Sequence, residues 1–65
     1  MNFILSEENE ISIIEINLKR ATAENVKVFK EFLFKLIDVD KKQKLIIDLT
    51  NVEFVDSSFL GAIVS

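Results

Sequence analysis

The fold of this chain is decided by the stretch Leu45-Ile-Ile-Asp-Leu-Thr-Asn-Val-Glu-Phe-Val-Asp-Ser-Ser-Phe-Leu-Gly-Ala-Ile-Val64. It opens with an apolar run of the kind found in parallel strands that are covered on both faces. A polar loop follows, and then Asp56-Ser57-Ser58 precedes a second apolar run. Short side chains of this type accept hydrogen bonds from the free N–H groups of a first helical turn. The stretch therefore predicts a strand over residues 45–49 and a helix that begins at Ser57.

The residues before this stretch predict a hairpin and a helix. Residues 2–6 and 11–17 are short, apolar and rich in Ile, and the polar turn between them contains Asn9. An antiparallel hairpin is the simplest arrangement for two such strands. Residues 23–38 contain no Gly and no Pro and repeat apolar side chains at helical spacing, with Thr22 as the N-cap. The apolar stripe of this helix consists of Val26, Phe29, Leu33, Leu36 and Ile37.

These elements together predict the fold class. A strand, a helix and a further strand in succession form a right-handed parallel crossover. We therefore expect an α/β domain with an N-terminal β-hairpin, a crossover helix, a central parallel strand and the start of a second helix. A polar loop over residues 17–20 connects the hairpin to the crossover helix.

The composition excludes several kinds of site. The 65 residues include no Cys and no His, which removes disulfides, thiolate or imidazole metal sites and Cys–His or Ser–His–Asp catalysis. One Gly leaves no Gly-rich phosphate loop. The net charge of −3 argues against nucleic acid and anionic membranes as partners, and no apolar run nears the roughly 20 residues of a membrane-spanning helix. We expect a cytoplasmic protein that is not an enzyme, without cofactor or metal.

The segment that runs from Lys44 to Gly61 resembles the STAS domain of anti-sigma-factor antagonists. The residues that carry the resemblance are Asp48-Leu49, Val52, Phe54, Asp56-Ser57-Ser58, Leu60 and Gly61. Phe59 stands where that family usually has Gly, and the chain ends at Ser65, where the family's domain continues. The resemblance thus implies one STAS-like domain over residues 1–65, truncated at its C-terminus relative to the family.

The same resemblance implies a regulatory module that sequesters an anti-sigma factor. In that family the serine directly after the Asp is phosphorylated by the anti-sigma factor, itself a serine kinase, and phosphorylation switches the module off. Here that serine is Ser57. The residues implied for partner binding are Asp56, Ser58, Phe59, Asn17 and Arg20. The basic Arg20 falls near a position that is often acidic in the family, a change that bears on which partner is selected.

Elementary electrostatics agrees with a phosphoserine at this place. A helix N-terminus offers free N–H groups and the positive end of the helix dipole. Phosphorylation adds a charge of about −1.5 to −2 at pH 7. The added charge would block a partner that fits the unmodified serine, with little change in the fold.

Two other interpretations of the sequence stay open. In one, the chain is a STAS-type scaffold or interaction module whose Ser57 is never modified. In the other, Asp48 is a receiver-like phosphoacceptor, which requires an acidic pair at the end of the first parallel strand to hold Mg²⁺. The chain has Ile16-Asn17-Leu18 there, so we interpret Asp48 as a structural residue that fixes the loop after its strand.

The predicted elements leave part of the sheet uncovered. One full helix covers one face, the second helix is too short to form without packing, and the strand over 45–49 is an edge with unpaired N–H and C=O groups. Chains of this size also bury a limited core. We therefore expect that residues 1–65 alone do not form a stable monomer, and that any ordered form is either an oligomer that pairs these edges and faces or part of a larger chain.

Overall fold

Three strands, a helix, two further strands and a second helix follow one another in the computed structural model, which describes residues 2–64. The elements are β1 Phe3–Glu8, β2 Ile11–Ile16, β3 Arg20–Ala21, α1 Ala23–Phe34, a π-helical segment Lys35–Val39, β4 Leu45–Asp48, β5 Phe54–Val55 and α2 Ser57–Val64. The α/β class, the crossover helix and the helix that begins at Ser57 are confirmed.

The N-terminal hairpin is closed by a turn of two residues. Strands β1 and β2 pair antiparallel, with Glu8 opposite Ile11. Asn9 and Glu10 between them have positive φ values of 52° and 69°. Two consecutive residues in this left-handed region form a type I′ turn, whose twist matches that of the flanking strands. Asn adopts this conformation readily, whereas Glu does so at some cost.

The main sheet has the order β1-β2-β4 within the described residues. Strand β4 pairs parallel with β2, and Ile47 lies beside Ile14. The parallel pairing predicted for residues 45–49 is confirmed, and β4 forms one edge of this sheet. Along β2 every second residue is buried, because that face of the sheet is covered by the helices.

Three phenylalanine rings from different parts of the chain pack one against the next in the core. The ring of Phe3 lies 5.5 Å from that of Phe29, and Phe29 lies 4.6 Å from Phe59, measured between centroids. Tilted aromatic pairs at such distances add roughly 0.5–1.5 kcal/mol each beyond the area that they bury. The three rings therefore join β1, α1 and α2 into one core.

The predicted helix over residues 23–38 changes its winding before it ends. The α-helix ends at Phe34, and the following turn is π-helical, with the Asp40 N–H donating to the Lys35 carbonyl at 2.9 Å. A π turn is wider than an α turn and shifts the side chains that follow it. Leu36 remains buried, but Ile37 is 52% exposed. The prediction that Ile37 belongs to the apolar stripe was therefore wrong.

The loop predicted over residues 17–20 contains part of a second, smaller sheet. Strand β3 pairs parallel with β5, with Arg20 beside Phe54 and Ala21 beside Val55. The Lys19 carbonyl also accepts hydrogen bonds from the N–H groups of Glu53 and Phe54, at 2.9 and 3.1 Å. This pairing holds the residues before α1 against the residues before α2.

Candidate functional site

The site lies where β5 leads into α2. The Oδ1 atom of Asp56 accepts a hydrogen bond from the Phe59 N–H at 2.9 Å. Asp56 therefore caps α2, and Ser57 and Ser58 are the first two residues of the helix. Both serines are exposed, and this leaves their hydroxyl groups accessible to another protein.

The same carboxylate also caps the other helix. The Oδ2 atom of Asp56 accepts a hydrogen bond from the Ala23 N–H at 2.8 Å, and Ala23 is the first residue of α1. The Asp56 N–H in turn donates to the Ala21 carbonyl at 3.1 Å. Asp56 was predicted to bind a partner, but both of its oxygens are bonded within the domain. No local pattern could have revealed this, because the two capped helices are far apart in the chain.

The start of α1 has a second set of local bonds. Thr22 lies at the N-cap, as predicted, with an extended backbone. Its N–H donates to Oδ1 of Asn25 at 3.0 Å, and the Asn25 N–H donates to the Thr22 carbonyl at 2.9 Å. Asn25 thus accepts the hydrogen bond that Glu or Gln usually accepts at the third position after an N-cap. Because Asn is less usual there, the sequence pattern did not indicate a role for Asn25.

Phe59 lies in the core and not on a partner surface. Its side chain is 0% exposed, and its ring packs against Phe29. Phe59 and Ala62, three residues later, lie on the same side of α2, and both are buried. This side of α2 therefore faces α1. The prediction that Phe59 contacts a partner is corrected here. The ring that replaces the family's usual Gly points inward, so it does not narrow the approach to Ser57.

The outward side of α2 is apolar and accessible. Ser57, Leu60, Gly61 and Val64 follow one another at helical spacing and share a face. Leu60 is 52% exposed and Val64 is 80% exposed. We call these four residues the outer face of α2. It places the exposed serine at one end of an accessible apolar stripe.

Arg20 lies beside the site but is held by an aromatic ring. Its guanidinium carbon is 4.5 Å above the centroid of Phe54, a cation–π arrangement. The residues that line the adjoining open cleft of about 470 Å³ are Arg20, Thr22, Ala23, Glu24, Asn25 and Asp56. Asn17 does not line this cleft, and its backbone N–H donates to the Asn2 carbonyl at 2.7 Å. The structure thus brings Arg20 next to Asp56.

Asp48 fixes the loop that follows β4. Its Oδ1 atom accepts hydrogen bonds from the hydroxyl and from the backbone N–H of Thr50, the latter at 2.9 Å. These two bonds lower the pKa of Asp48, with the hydroxyl making the larger contribution. One residue further on, the Asn51 side chain donates to Glu15 at 3.0 Å. The interpretation of Asp48 as a structural residue is confirmed.

Two kinds of site are not found among residues 2–64. No group of three or more acidic residues is placed so that it could hold a metal ion. In the same part of the chain, no helix has the length and apolar character needed to cross a bilayer.

Comparison with known proteins identifies the family of this chain. No curated protein matches the chain. The family described as the STAS domain has a sequence model that matches residues 2–65. This match spans the hairpin, the crossover helix, both sheets and the Asp-Ser-Ser start of α2, so the chain belongs to the STAS domain family.

Proposed function

We propose that this domain is an anti-sigma-factor antagonist, which sequesters an anti-sigma factor and is switched off when that partner phosphorylates Ser57. One observation carries the proposal. Ser57 is exposed at the start of α2, on the same face as the accessible Leu60 and Val64. STAS domains mediate protein–protein interactions, and the outer face of α2 is the surface that suits one here. The domain acts in the cytoplasm as a binding module without a reaction of its own.

The position of Ser57 favours a switch that leaves the fold unchanged. Its side chain takes no part in the core, and a negative charge at a helix N-terminus is stabilising by roughly 0.3–1 kcal/mol. A phosphate there is therefore tolerated by the domain itself. In the complex, the same phosphate would lie beside apolar groups that lose water on binding, where an added charge is disruptive.

The switch is expected to act through affinity. Burying a phosphate without a partner charge should weaken binding at least tenfold, which corresponds to about 1.4 kcal/mol. Asp56 and Glu53 lie in the same segment, so a partner that approaches the unmodified serine is expected to present basic or neutral groups. Basic groups on the partner would attract the phosphate, whereas the apolar contact with the outer face of α2 would be disrupted by it. The proposal therefore requires Leu60 and Val64 to be buried in the complex.

The test is site mapping with the cognate kinase. We expect the anti-sigma factor to label the wild-type protein and Ser58→Ala equally, because Ser58 is the matched exposed neighbour. Ser57→Ala should take no label, and peptide fragmentation should place the phosphate on Ser57. Label on Ser58 alone would contradict the assignment.

The runner-up is a STAS-type scaffold whose Ser57 is never modified. One observation favours it: the basic Arg20 lies beside the site, where the resembled family often has an acidic residue. Absence of any label, together with retained binding to a partner, would select the scaffold. Phe59 does not support this alternative, because its ring is buried and does not obstruct the approach of a kinase to Ser57.

A further inference from the structure

One carboxylate connects the beginnings of both helices. Asp56 accepts one hydrogen bond from Phe59, in the first turn of α2, and one from Ala23, the first residue of α1. We propose that Asp56 is a positioning residue that couples the charge state of Ser57 to the N-terminus of α1. The biological meaning of this coupling rests on the phosphorylation of Ser57 proposed above.

The geometry gives the coupling a physical route. Ser57 directly follows Asp56 in the chain, so a phosphate there is a second anion at the same helix start. The two anions repel each other, and both are attracted to the few free N–H groups of α2. Because the Asp56 carboxylate is bonded to both helices, any shift that it makes at α2 also changes its hydrogen bond to Ala23.

The backbone around Asp56 is held independently of its side chain. The Asp56 N–H donates to the Ala21 carbonyl at 3.1 Å, and the strands β3 and β5 pair just before the two helices. Removing the carboxylate should therefore leave these two segments side by side. What is lost are the hydrogen bonds from Ala23 and Phe59, so the side chain can be tested while the backbone of the site stays in place.

The hydrogen bond between Asp56 and Ala23 connects the start of α2 to an accessible surface. Ala23 lies in the wall of the open cleft described above, and Arg20 lies in the same wall. A charge added at Ser57 that shifts the Asp56 carboxylate thus also affects this cleft, an accessible region beside the start of α1. A partner that touches both regions would sense one modification at two places.

The bridge itself is tested with Asp56→Ser in the protein at its natural length. Serine is a good N-cap and can still accept from Phe59, but its single short side-chain oxygen cannot serve both amides. Amide exchange measured by NMR should be at least about tenfold faster at Ala23 and within about threefold of wild type at Phe59. Asp56→Asn, which keeps the size but only one acceptor oxygen, should leave at least one of the two amides unprotected. Ser58→Ala is the control, with both amides unchanged. An unchanged Ala23 rate in Asp56→Ser would overturn the proposal.

The coupling is tested by adding a charge at Ser57 in two backgrounds. Ser57→Asp should displace the Ala23 amide resonance in the wild-type background and leave it in place in the Asp56→Ser background. Equal displacement in both backgrounds, or none in either, would overturn the coupling. These measurements need neither a kinase nor an anti-sigma factor. A negative result here therefore leaves the phosphorylation of Ser57 standing, and a protein that is never phosphorylated would still show the bridge.

Discussion

The two sides of α2 have the same apolar chemistry and different surroundings. On the inner side, Phe59 and Ala62 are 0% and 6% exposed, whereas on the outer side Leu60 and Val64 are 52% and 80% exposed. Adjacent residues of one short helix thus belong either to the core or to the accessible surface. The hydrophobicity of this stretch therefore has two origins, one in the stability of the domain and one, as proposed, in recognition of a partner.

The largest effect is expected on the inner side. Phe59→Ala removes a fully buried ring that packs against Phe29, and a substitution of this kind typically costs about 3–5 kcal/mol. Urea denaturation followed by circular dichroism should show the loss in the free energy of unfolding. A loss below about 1 kcal/mol would mean that the two sides of α2 do not differ as described.

The outer side should show the opposite behaviour. Leu60→Ala should change the free energy of unfolding by no more than about 0.5 kcal/mol, because the side chain is half exposed. Affinity for the anti-sigma factor should fall by about 1–2 kcal/mol, a 5- to 30-fold increase in Kd by calorimetry. Val28→Ala, on an exposed part of α1, is the matched control. Equal affinities for Leu60→Ala and wild type would remove Leu60 from the binding surface.

At Gly61, on the outer face of α2, a substitution should change stability and binding in opposite directions. A Cβ atom at this position meets nothing within 4 Å, so the fold does not require glycine there. Gly61→Ala should raise the free energy of unfolding by about 0.5–1 kcal/mol through its higher helix propensity. The same methyl group should weaken binding if the partner packs closely on the outer face. Thermal unfolding and calorimetry on one preparation test both, and a destabilised variant would count against an open outer face.

The smallest effect concerns a polar contact away from α2. The pKa of Asp48 is lowered from 3.8 by the two hydrogen bonds from Thr50. A depressed folded-state pKa contributes stability above the unfolded value, and this contribution is lost as the pH falls through the folded value. The difference in unfolding free energy between wild type and Asp48→Asn should therefore shrink below about pH 3.8. Thr50→Val should reduce that pH dependence, and partner binding at neutral pH should not change.

Local patterns in the sequence were sufficient for most of the architecture. Asn9 in a polar turn between two Ile-rich segments predicted the hairpin, and Thr22 predicted the start of α1. Asp56-Ser57-Ser58 before an apolar run predicted that α2 begins at Ser57. In each case the deciding interactions are formed by residues that are close in the chain.

Most of the parts that were missed depend on contacts between distant residues. Strands β3 and β5 have two residues each, too few for a periodic pattern to reveal. The inward direction of Phe59 is set by its packing on Phe29, and the second bond of Asp56 is made to Ala23, 33 residues earlier. The displacement of Ile37 follows from a local widening of the helix, which the apolar spacing of α1 did not indicate.

The crossover also has a consequence for the order in which the domain folds. Ser12 pairs with Leu45, Arg20 pairs with Phe54, and Ala23 is bonded to Asp56, and each pair is separated by 33 or 34 residues. The entropy lost in bringing such distant residues together is incurred mainly by the first contact, because each later contact then closes a shorter stretch of chain. We therefore expect the hairpin to form first and the three long-range contacts to form in one cooperative step. The exposed serine would then acquire its place in the same event that completes the sheet.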